Sequence, residues 1–183
     1  MKYLLIILVC FNLSVSEKVL KFYKIEIKVD PRFVANESCS LTVPSRNRVL
    51  ANFEGIAIVE LKNITVNFRG FKFYNQFRPF LINEWINVCS IFKGHGSFNY
   101  FAKTLKRFVM RYGNLIQCLY KPGYYFLKNL EMPYNSFQFF LDTGKYKMDF
   151  YVFEGYPLVN IINATLYLEI TEDFKNWRKK AKE

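Results

Sequence analysis

The chain has 183 residues, of which 51% are hydrophobic and 19% aromatic, and its formal net charge is +11 at neutral pH. This length suits one domain of ordinary size, and the apolar content excludes a disordered chain. The basic balance favours an anionic partner, such as an acidic glycan, a lipid head group or a fatty-acid carboxylate.

The first residues predict a signal peptide. Met1-Lys2 is positively charged, residues 3–13 are almost unbroken in apolar character, and Ser14-Val15-Ser16 supplies small residues before Glu17. The apolar run is shorter than the ~20 residues of a membrane span. We therefore expect residues 1–16 to be cleaved and the mature protein to be secreted, without a transmembrane anchor and without nucleic acid as a partner. An uncleaved anchor is the alternative.

Cleavage would remove Cys10 and leave Cys39, Cys89 and Cys118, an odd number in an oxidising compartment. The simplest arrangement is one disulfide and one remaining thiol. The sequence also has three Asn-X-Ser/Thr sequons, which predict N-linked glycans in a secreted protein. They begin at Asn36, Asn63 and Asn163.

Alternation of apolar and polar residues dominates the chain and predicts strands with one face on a core. The clearest alternation covers residues 24–29, 64–69, 146–152 and 166–170, and further strands are expected at 38–43, 47–61 and 80–92. Residues 137–153 predict a β-hairpin around Asp142-Thr143-Gly144, because glycine supplies the positive φ that a tight turn needs.

One segment has helical spacing instead. Apolar residues recur on one face of residues 97–112, with Ser97 as a candidate N-cap and Gly113 as a candidate stop. Cys89 and Cys118 flank this helix, which suggests a disulfide between the strands at its two ends.

The pattern as a whole predicts a mainly β fold. Many short alternating strands must each bury one face, so we expect an antiparallel β-sandwich over residues 17–170, with one amphipathic helix between two strands. Residues 171–183 form a basic tail. A solvated, frayed tail and an electrostatic contact with an anionic surface are the two interpretations.

Little in the sequence points to catalysis. His95 is the only histidine, and it lies in the glycine-flanked loop Gly94-His95-Gly96. There is no nucleophile elbow, P-loop or dinucleotide fingerprint, and one histidine with three scattered cysteines lacks the spacing of a zinc site. We expect a protein that is not an enzyme and has no cofactor or metal. A hydrolase that pairs His95 with a distant Ser or Cys is the alternative.

Several motifs resemble an insect secreted family, domain-of-unknown-function family 1091, over residues 22–170. The core of the resemblance is Asn75-Gln76-Phe77-Arg78-Pro79-Phe80-Leu81-Ile82-Asn83, followed by Val88-Cys89 and then Tyr112-Gly113-Asn114-Leu115-Ile116-Gln117-Cys118. The opening Lys28-Val29-Asp30-Pro31, Ala35-Asn36-Glu37-Ser38-Cys39 and Asn47-Arg48-Val49, and the later Gly144-Lys145-Tyr146, follow the order of the family.

The resemblance implies an immunoglobulin-like sandwich similar to the myeloid differentiation factor 2-related lipid-recognition (ML) family, whose members hold lipids between their sheets. Some insect relatives act in chemosensation. The paired cysteines of the family map onto Cys89 and Cys118. Ile27 stands where relatives often have cysteine, so Cys39 lacks its expected partner and is either a free thiol or part of an intermolecular bond. Cys118 is followed by Leu119 instead of the usual proline.

These observations favour a secreted, non-enzymatic carrier or co-receptor for a lipid, fatty acid, sterol or hydrocarbon, with a cell-surface receptor as a further partner. The expected cavity walls are Phe68, Phe139, Phe150 and Leu168, and the expected cations at the rim are Arg107 and Arg111. The alternative is a sandwich with a filled core and no ligand, which recognises other proteins through its surface.

Overall fold

The computed structural model describes residues 18–45, 48–92, 106–107, 110–115, 117–131 and 141–172. Nearly all of this part of the chain is extended. The elements are β1 (Lys18–Val29), β2 (Val34–Ser45), β3 (Arg48–Ala57), β4 (Leu61–Lys62), β5 (Thr65–Phe73), β6 (Phe77–Asn87), α1 (Val88–Phe92), β7 (Leu119–Tyr120), β8 (Gly123–Leu130), β9 (Gly144–Glu154) and β10 (Val159–Glu172).

Two antiparallel sheets form the sandwich that the alternation predicted. The larger sheet has the strand order β1-β10-β9-β5-β6, and the smaller has the order β2-β3-β8. A two-stranded ribbon of β4 and β7 lies beside them. Apolar side chains at every second position turn inward from both sheets, which buries one face of each.

The first described strand, β1, pairs from end to end with the last, β10, from Lys18 opposite Glu172 to Val29 opposite Ile162. Strand β10 therefore continues two residues beyond position 170, where the sandwich was expected to end. The predicted signal peptide (residues 1–16) and residues 173–183 of the basic tail lie outside the described residues. No helix among the described residues is long and apolar enough to span a membrane.

Two predicted strands have different ends in the structure. The strand expected over 47–61 ends at Ala57, after which the Ile58 amide donates to the Phe33 carbonyl in another loop. The strand expected over 80–92 begins earlier and ends at Asn87, which caps α1. The Ser90 amide donates to Asn87 Oδ1 over 3.0 Å, as at a helix N-cap.

The predicted hairpin over residues 137–153 is wrong in its pairing. Both edges of β9 are taken, one by β10 and the other by β5, so β9 has no edge for a strand at 137–141. The hairpin partner of β9 is β10, through a turn in which Gly155 has a φ of +71°. Residues 137–140 lie outside the described residues.

Most of the predicted helix over 97–112 also lies outside the described residues, as does His95. Its described residues, 106–107 and 110–112, are helical. A short segment, Tyr112–Leu115, runs from the last of these helical residues and meets the edge of β8. The amide of Asn114 in this segment donates to the Phe126 carbonyl over 3.2 Å.

The interior contains two apolar clusters. The first includes Phe68 and Leu166, and its part formed by Phe22, Ala51, Tyr146, Leu168 and Ile170, which are all nearly inaccessible to solvent, is named here the packed end. The second, named here the cavity end, consists of buried side chains near the turn between β9 and β10. Its buried members are Ala57, Leu61, Ile64, Tyr120 and Ile161.

The outer face of the five-stranded sheet buries two polar side chains. Asn67 donates to Asn83 Oδ1 over 3.1 Å, and Asp149 accepts from Thr165 Oγ1 over 2.9 Å and pairs with Lys147 Nζ at 3.0 Å. Asn67 and Asp149 alternate along their strands with residues that point inward, such as Phe68. Their polar side chains therefore lie on the outer face, and the inner face of this sheet stays apolar.

Candidate ligand cavity

A cavity of about 330 Å³ lies between the two sheets. Both sheets, the β4–β7 ribbon, α1 and the segment before β7 contribute to its wall. Aliphatic and aromatic side chains dominate the lining, and it includes Ile27, Val34, Phe53, Ala57, Ile64, Val66, Phe68, Ile86, Leu115, Tyr120, Met148, Phe150, Val152, Ile162, Ala164 and Leu166.

The cavity explains an unusual exposure pattern in the central strands of the larger sheet. Phe150, Val152, Ile162 and Ala164 point inward from β9 and β10, which have neighbours on both sides, yet they are only half-buried. A filled sandwich would cover such side chains completely. Ala57 on β3 and Ala164 on β10 are small, so they help to leave space between the sheets.

The described residues of the wall have few polar groups, and the two tyrosine hydroxyls among them already have partners. Tyr120 donates to the Leu115 carbonyl over 3.2 Å, and Tyr125 donates to the Lys121 carbonyl over 2.9 Å. Burial raises the pKa of Tyr120, and the charges of nearby Cys89 and Cys118 would add to the effect. The wall therefore presents mainly hydrocarbon to an occupant.

Within the part of the chain that the structure describes, three charged residues border the cavity: Glu37 on β2, Glu54 on β3 and Lys106 in the helical residues. Glu54 accepts a short hydrogen bond from the Tyr124 hydroxyl and pairs with Lys128 Nζ at 3.1 Å. These contacts hold the pKa of Glu54 below its ordinary value.

Two of the four predicted wall residues border the cavity. The rings of Phe68 and Phe150 are 4.7 Å apart and line it together. Leu168 does not, because it is completely buried in the packed end. Phe139 lies outside the described residues.

The two arginines predicted at the rim do not border the cavity. Arg107 and Arg111 are exposed and line a separate surface depression together with Met110. Lys106, which was not predicted, borders both this depression and the cavity. Helical spacing indicated which residues share a face, but not which of the adjacent cations turns toward the sandwich.

Leu115, at the end of the segment Tyr112–Leu115, lines one side of the cavity, and the sequence pattern did not predict this contact. Gly113 makes a bridge with Leu127, and a Cβ atom at Gly113 would lie 1.9 Å from the Phe126 carbonyl oxygen. Only glycine fits this close approach of two backbones. The adjacent pair Gly113-Asn114 was a signal for an irregular backbone, but not for contact with β8.

The cysteines predicted to pair lie close together. Cys89 Sγ donates to the carbonyl oxygen of Cys118 over 3.2 Å, and no disulfide joins the two residues in the structure. Their pairing stays a prediction. Cys39 is half-buried on β2, and burial followed by the charge of Glu37 raises the pKa of its thiol.

The three sequons occupy different surroundings. Asn36 and Asn63 are exposed, and each has a φ of +51° at an irregular point of the backbone. Asn163 lies within β10, and its Oδ1 is buried without a hydrogen-bond partner. Glycosylation at all three stays a prediction. The described residues contain no group of three His, Cys, Asp or Glu side chains that could hold a metal ion.

Comparison with known proteins confirms the resemblance to family 1091 over part of the range 22–170. Residues 63–148 match the family model described as "Protein of unknown function (DUF1091)". The match begins before β5, ends within β9, and includes Cys89, Asn114 and Cys118. No curated protein shows significant sequence similarity to the chain.

Proposed function

The chain carries a DUF1091 segment, for which no function is established, and we propose that the protein is a secreted, non-enzymatic carrier of a small hydrophobic ligand. The apolar cavity of about 330 Å³ between the sheets is the observation that carries this proposal. Pockets of this size class commonly hold small molecules. The cavity also favours the carrier over a sandwich with a filled core.

The volume of the cavity limits the size of the ligand. A methylene group occupies about 30 Å³, similar to the volume per molecule in liquid water. The cavity therefore has room for about ten to twelve carbon atoms. We therefore propose a linear or branched hydrocarbon, alcohol or acid of that length. A sterol is far too large for this volume without expansion of the sandwich.

The chemistry of the wall limits where the ligand can be polar. The hydroxyls of Tyr120 and Tyr125 already donate to carbonyls, so a polar group in the middle of the ligand would lose its hydrogen bonds to water without replacement. A polar group at one end can stay near Lys106 and Glu37 at the border. Burial of ten methylenes contributes about 8 kcal/mol before the cost of association.

Native mass spectrometry of the purified protein with decane, decan-1-ol and cholesterol tests the proposal. We expect decane and decan-1-ol to bind one per chain and cholesterol not to bind. Ala164→Leu adds side-chain volume to the cavity wall and should weaken decan-1-ol binding about tenfold or more. Val43→Leu is the matched control, because Val43 is 63% exposed on β2.

Three results would contradict the carrier proposal. One is no binding of either ten-carbon compound to the unmodified protein. Another is tighter binding of cholesterol than of decan-1-ol. The third is equal loss of binding in Ala164→Leu and Val43→Leu, since the ligand would then not occupy the space beside Ala164.

A further inference from the structure

We propose that ligands enter and leave the cavity between β8 and the segment Tyr112–Leu115, and that Asn114 is the positioning residue that holds this side closed. This inference rests on the proposed carrier function. It concerns the route to the cavity, which neither the family match nor the ligand chemistry specifies.

The two sheets cannot provide this route without losing their own pairing. On the larger sheet, the cavity borders all five strands, and the three central ones, β10, β9 and β5, are hydrogen-bonded to a neighbour on both sides. The edge strand β1 continues into β2 of the smaller sheet through a turn in which the Val34 amide donates to the Asp30 carbonyl over 3.1 Å, so this side is also closed by the backbone. On the smaller sheet, β3 is paired on both sides with β2 and β8. A gap within either sheet would break a run of backbone hydrogen bonds at once.

The wall near β4 is also fixed by backbone hydrogen bonds. Leu61 and Lys62 pair with Tyr120 and Leu119, and the Gly155 amide donates to the Lys62 carbonyl over 3.3 Å. The Val88 amide donates to the Ile64 carbonyl over 2.9 Å. Several elements therefore hold this part of the wall together.

The wall at Leu115 has fewer backbone hydrogen bonds, which are the Asn114 amide to the Phe126 carbonyl on β8 and, from a side chain, the Tyr120 hydroxyl to the Leu115 carbonyl. The side chain of Asn114 supplies two further hydrogen bonds to β8. Asn114 Nδ2 donates to the Tyr124 carbonyl over 2.9 Å, and the Phe126 amide donates to Asn114 Oδ1 over 2.8 Å. The Asn114 side chain thus satisfies the Tyr124 carbonyl and the Phe126 amide on the edge of β8. Leu115, the next residue, lines the cavity.

Release of Asn114 would leave the sandwich intact. The opposite edge of β8 is paired with β3, where Phe126 lies opposite Glu54 and Leu127 opposite Phe53. Local openings that expose little backbone are the least costly motions of a folded protein. Detachment of Tyr112–Leu115 from β8 is such an opening, and it uncovers the cavity beside Leu115, Phe126 and Leu127.

Stopped-flow fluorescence with naphthalene, a ten-carbon fluorescent probe, tests this route on the full chain. Asn114→Ala should speed both binding and release by about tenfold or more, because the opened state becomes more populated. The affinity should change much less than the two rates. Asn114→Asp keeps the acceptor for the Phe126 amide and loses the donor to Tyr124, so its rates should be intermediate.

Asn52→Ala is the matched control. Asn52 Oδ1 accepts from the Asn129 amide of β8 over 2.8 Å, but Asn52 does not line the cavity. Hydrogen exchange should show loss of protection at the Phe126 amide in Asn114→Ala and at the Asn129 amide in Asn52→Ala. Only the first variant should alter the naphthalene kinetics.

Unchanged naphthalene rates in Asn114→Ala, with Phe126 protection lost, would overturn the proposed route while leaving the carrier function in place. Equal acceleration in Asn52→Ala would also overturn it, because general loosening of the fold would then explain the effect. Failure of the unmodified protein to bind naphthalene or either ten-carbon compound would overturn the carrier function and the route together.

Discussion

The two ends of the interior differ in how completely the same kind of side chain fills them. At the packed end, Leu168 on β10 is wholly buried among Phe22, Tyr146 and Ile170. Two positions earlier on the same face of β10, Leu166 borders the cavity. The same alternation therefore gives a filled core at one end and an open space at the other.

This comparison shows that alternation determines the direction of a side chain and not whether the space in front of it is filled. Filling depends on the separation of the sheets and on side-chain volume in the facing sheet. At the cavity end, Gly55 and Ala57 on β3 face bulkier residues of the larger sheet. Small side chains there leave the space unoccupied.

The largest difference between the two ends should appear on truncation of the leucines. Leu168→Ala should lower the free energy of unfolding by about 3–5 kcal/mol, because it creates a new cavity in a close-packed region. Leu166→Ala should cost about 1–2 kcal/mol less, since one side of Leu166 already faces open space. Urea denaturation measures both values. Equal losses would mean that the two ends are equally well packed.

Gly113→Ala should have the next largest effect. Its Cβ would lie 1.9 Å from the Phe126 carbonyl oxygen, so the segment Tyr112–Leu115 must move away from β8. We expect a loss of about 2 kcal/mol of stability and faster hydrogen exchange at the Phe126 amide. Full protection of that amide in the variant would show that β8 adjusts without detachment.

Replacement of an alanine by a larger residue should have different effects on stability at the two ends, because only the cavity end has unoccupied space. Ala51→Leu at the packed end should destabilise the protein by about 1–3 kcal/mol, because Ala51 is completely buried and the added carbons have no space. Ala164→Leu at the cavity should be neutral or stabilise it by about 1 kcal/mol. Thermal unfolding of the two variants without ligand checks the difference. A similar destabilisation of both would argue against unoccupied space beside Ala164.

The smallest predicted effect is a pH dependence at the cavity end. Burial raises the pKa of Tyr120 in the folded state, whereas an unfolded tyrosine has a pKa of about 10. The folded state therefore favours the neutral phenol, and this contribution to stability is present below pH ~10 and lost as the pH rises above it. Between about pH 9 and 11, the unmodified protein should lose about 1 kcal/mol more stability than Tyr120→Phe.

Tyr156→Phe is the control for this measurement, because Tyr156 is 81% exposed. Its stability should follow the same pH dependence as that of the unmodified protein. If urea midpoints show the same alkaline loss in Tyr120→Phe, other groups must cause it.

The β-sandwich could be predicted from the sequence because the alternation of apolar and polar residues along each strand indicates which face is buried. The antiparallel sandwich and the inward direction of Phe68 and Phe150 were predictable from period-two spacing. The hairpin of β9 was misassigned because Asp142-Thr143-Gly144 has turn chemistry, while the pairing of β9 depends on distant residues in β5 and β10. Local turn signals do not contain that information.

The details of the site were less predictable because they depend on tertiary distances. Nothing in the spacing of Lys106, Arg107 and Arg111 indicates which cation reaches the cavity. The contact of Asn114 with β8 joins a loop to the edge of another element, and Asn is equally typical of a plain turn. The volume of the cavity depends on many side chains together, so no single residue predicted it.

The pairing of β1 with β10 has a practical consequence for handling the protein. Lys18 and Glu172 face each other at the packed end, roughly 5 Å apart across two strands, whereas Ile27 and Ile162 border the cavity at the opposite end of the same strands. A surface tether or dye attached beyond either Lys18 or Glu172 would therefore leave the cavity end directed into solution. The two attachment points lie at the same end of the sandwich and are therefore equivalent for an immobilised ligand sensor.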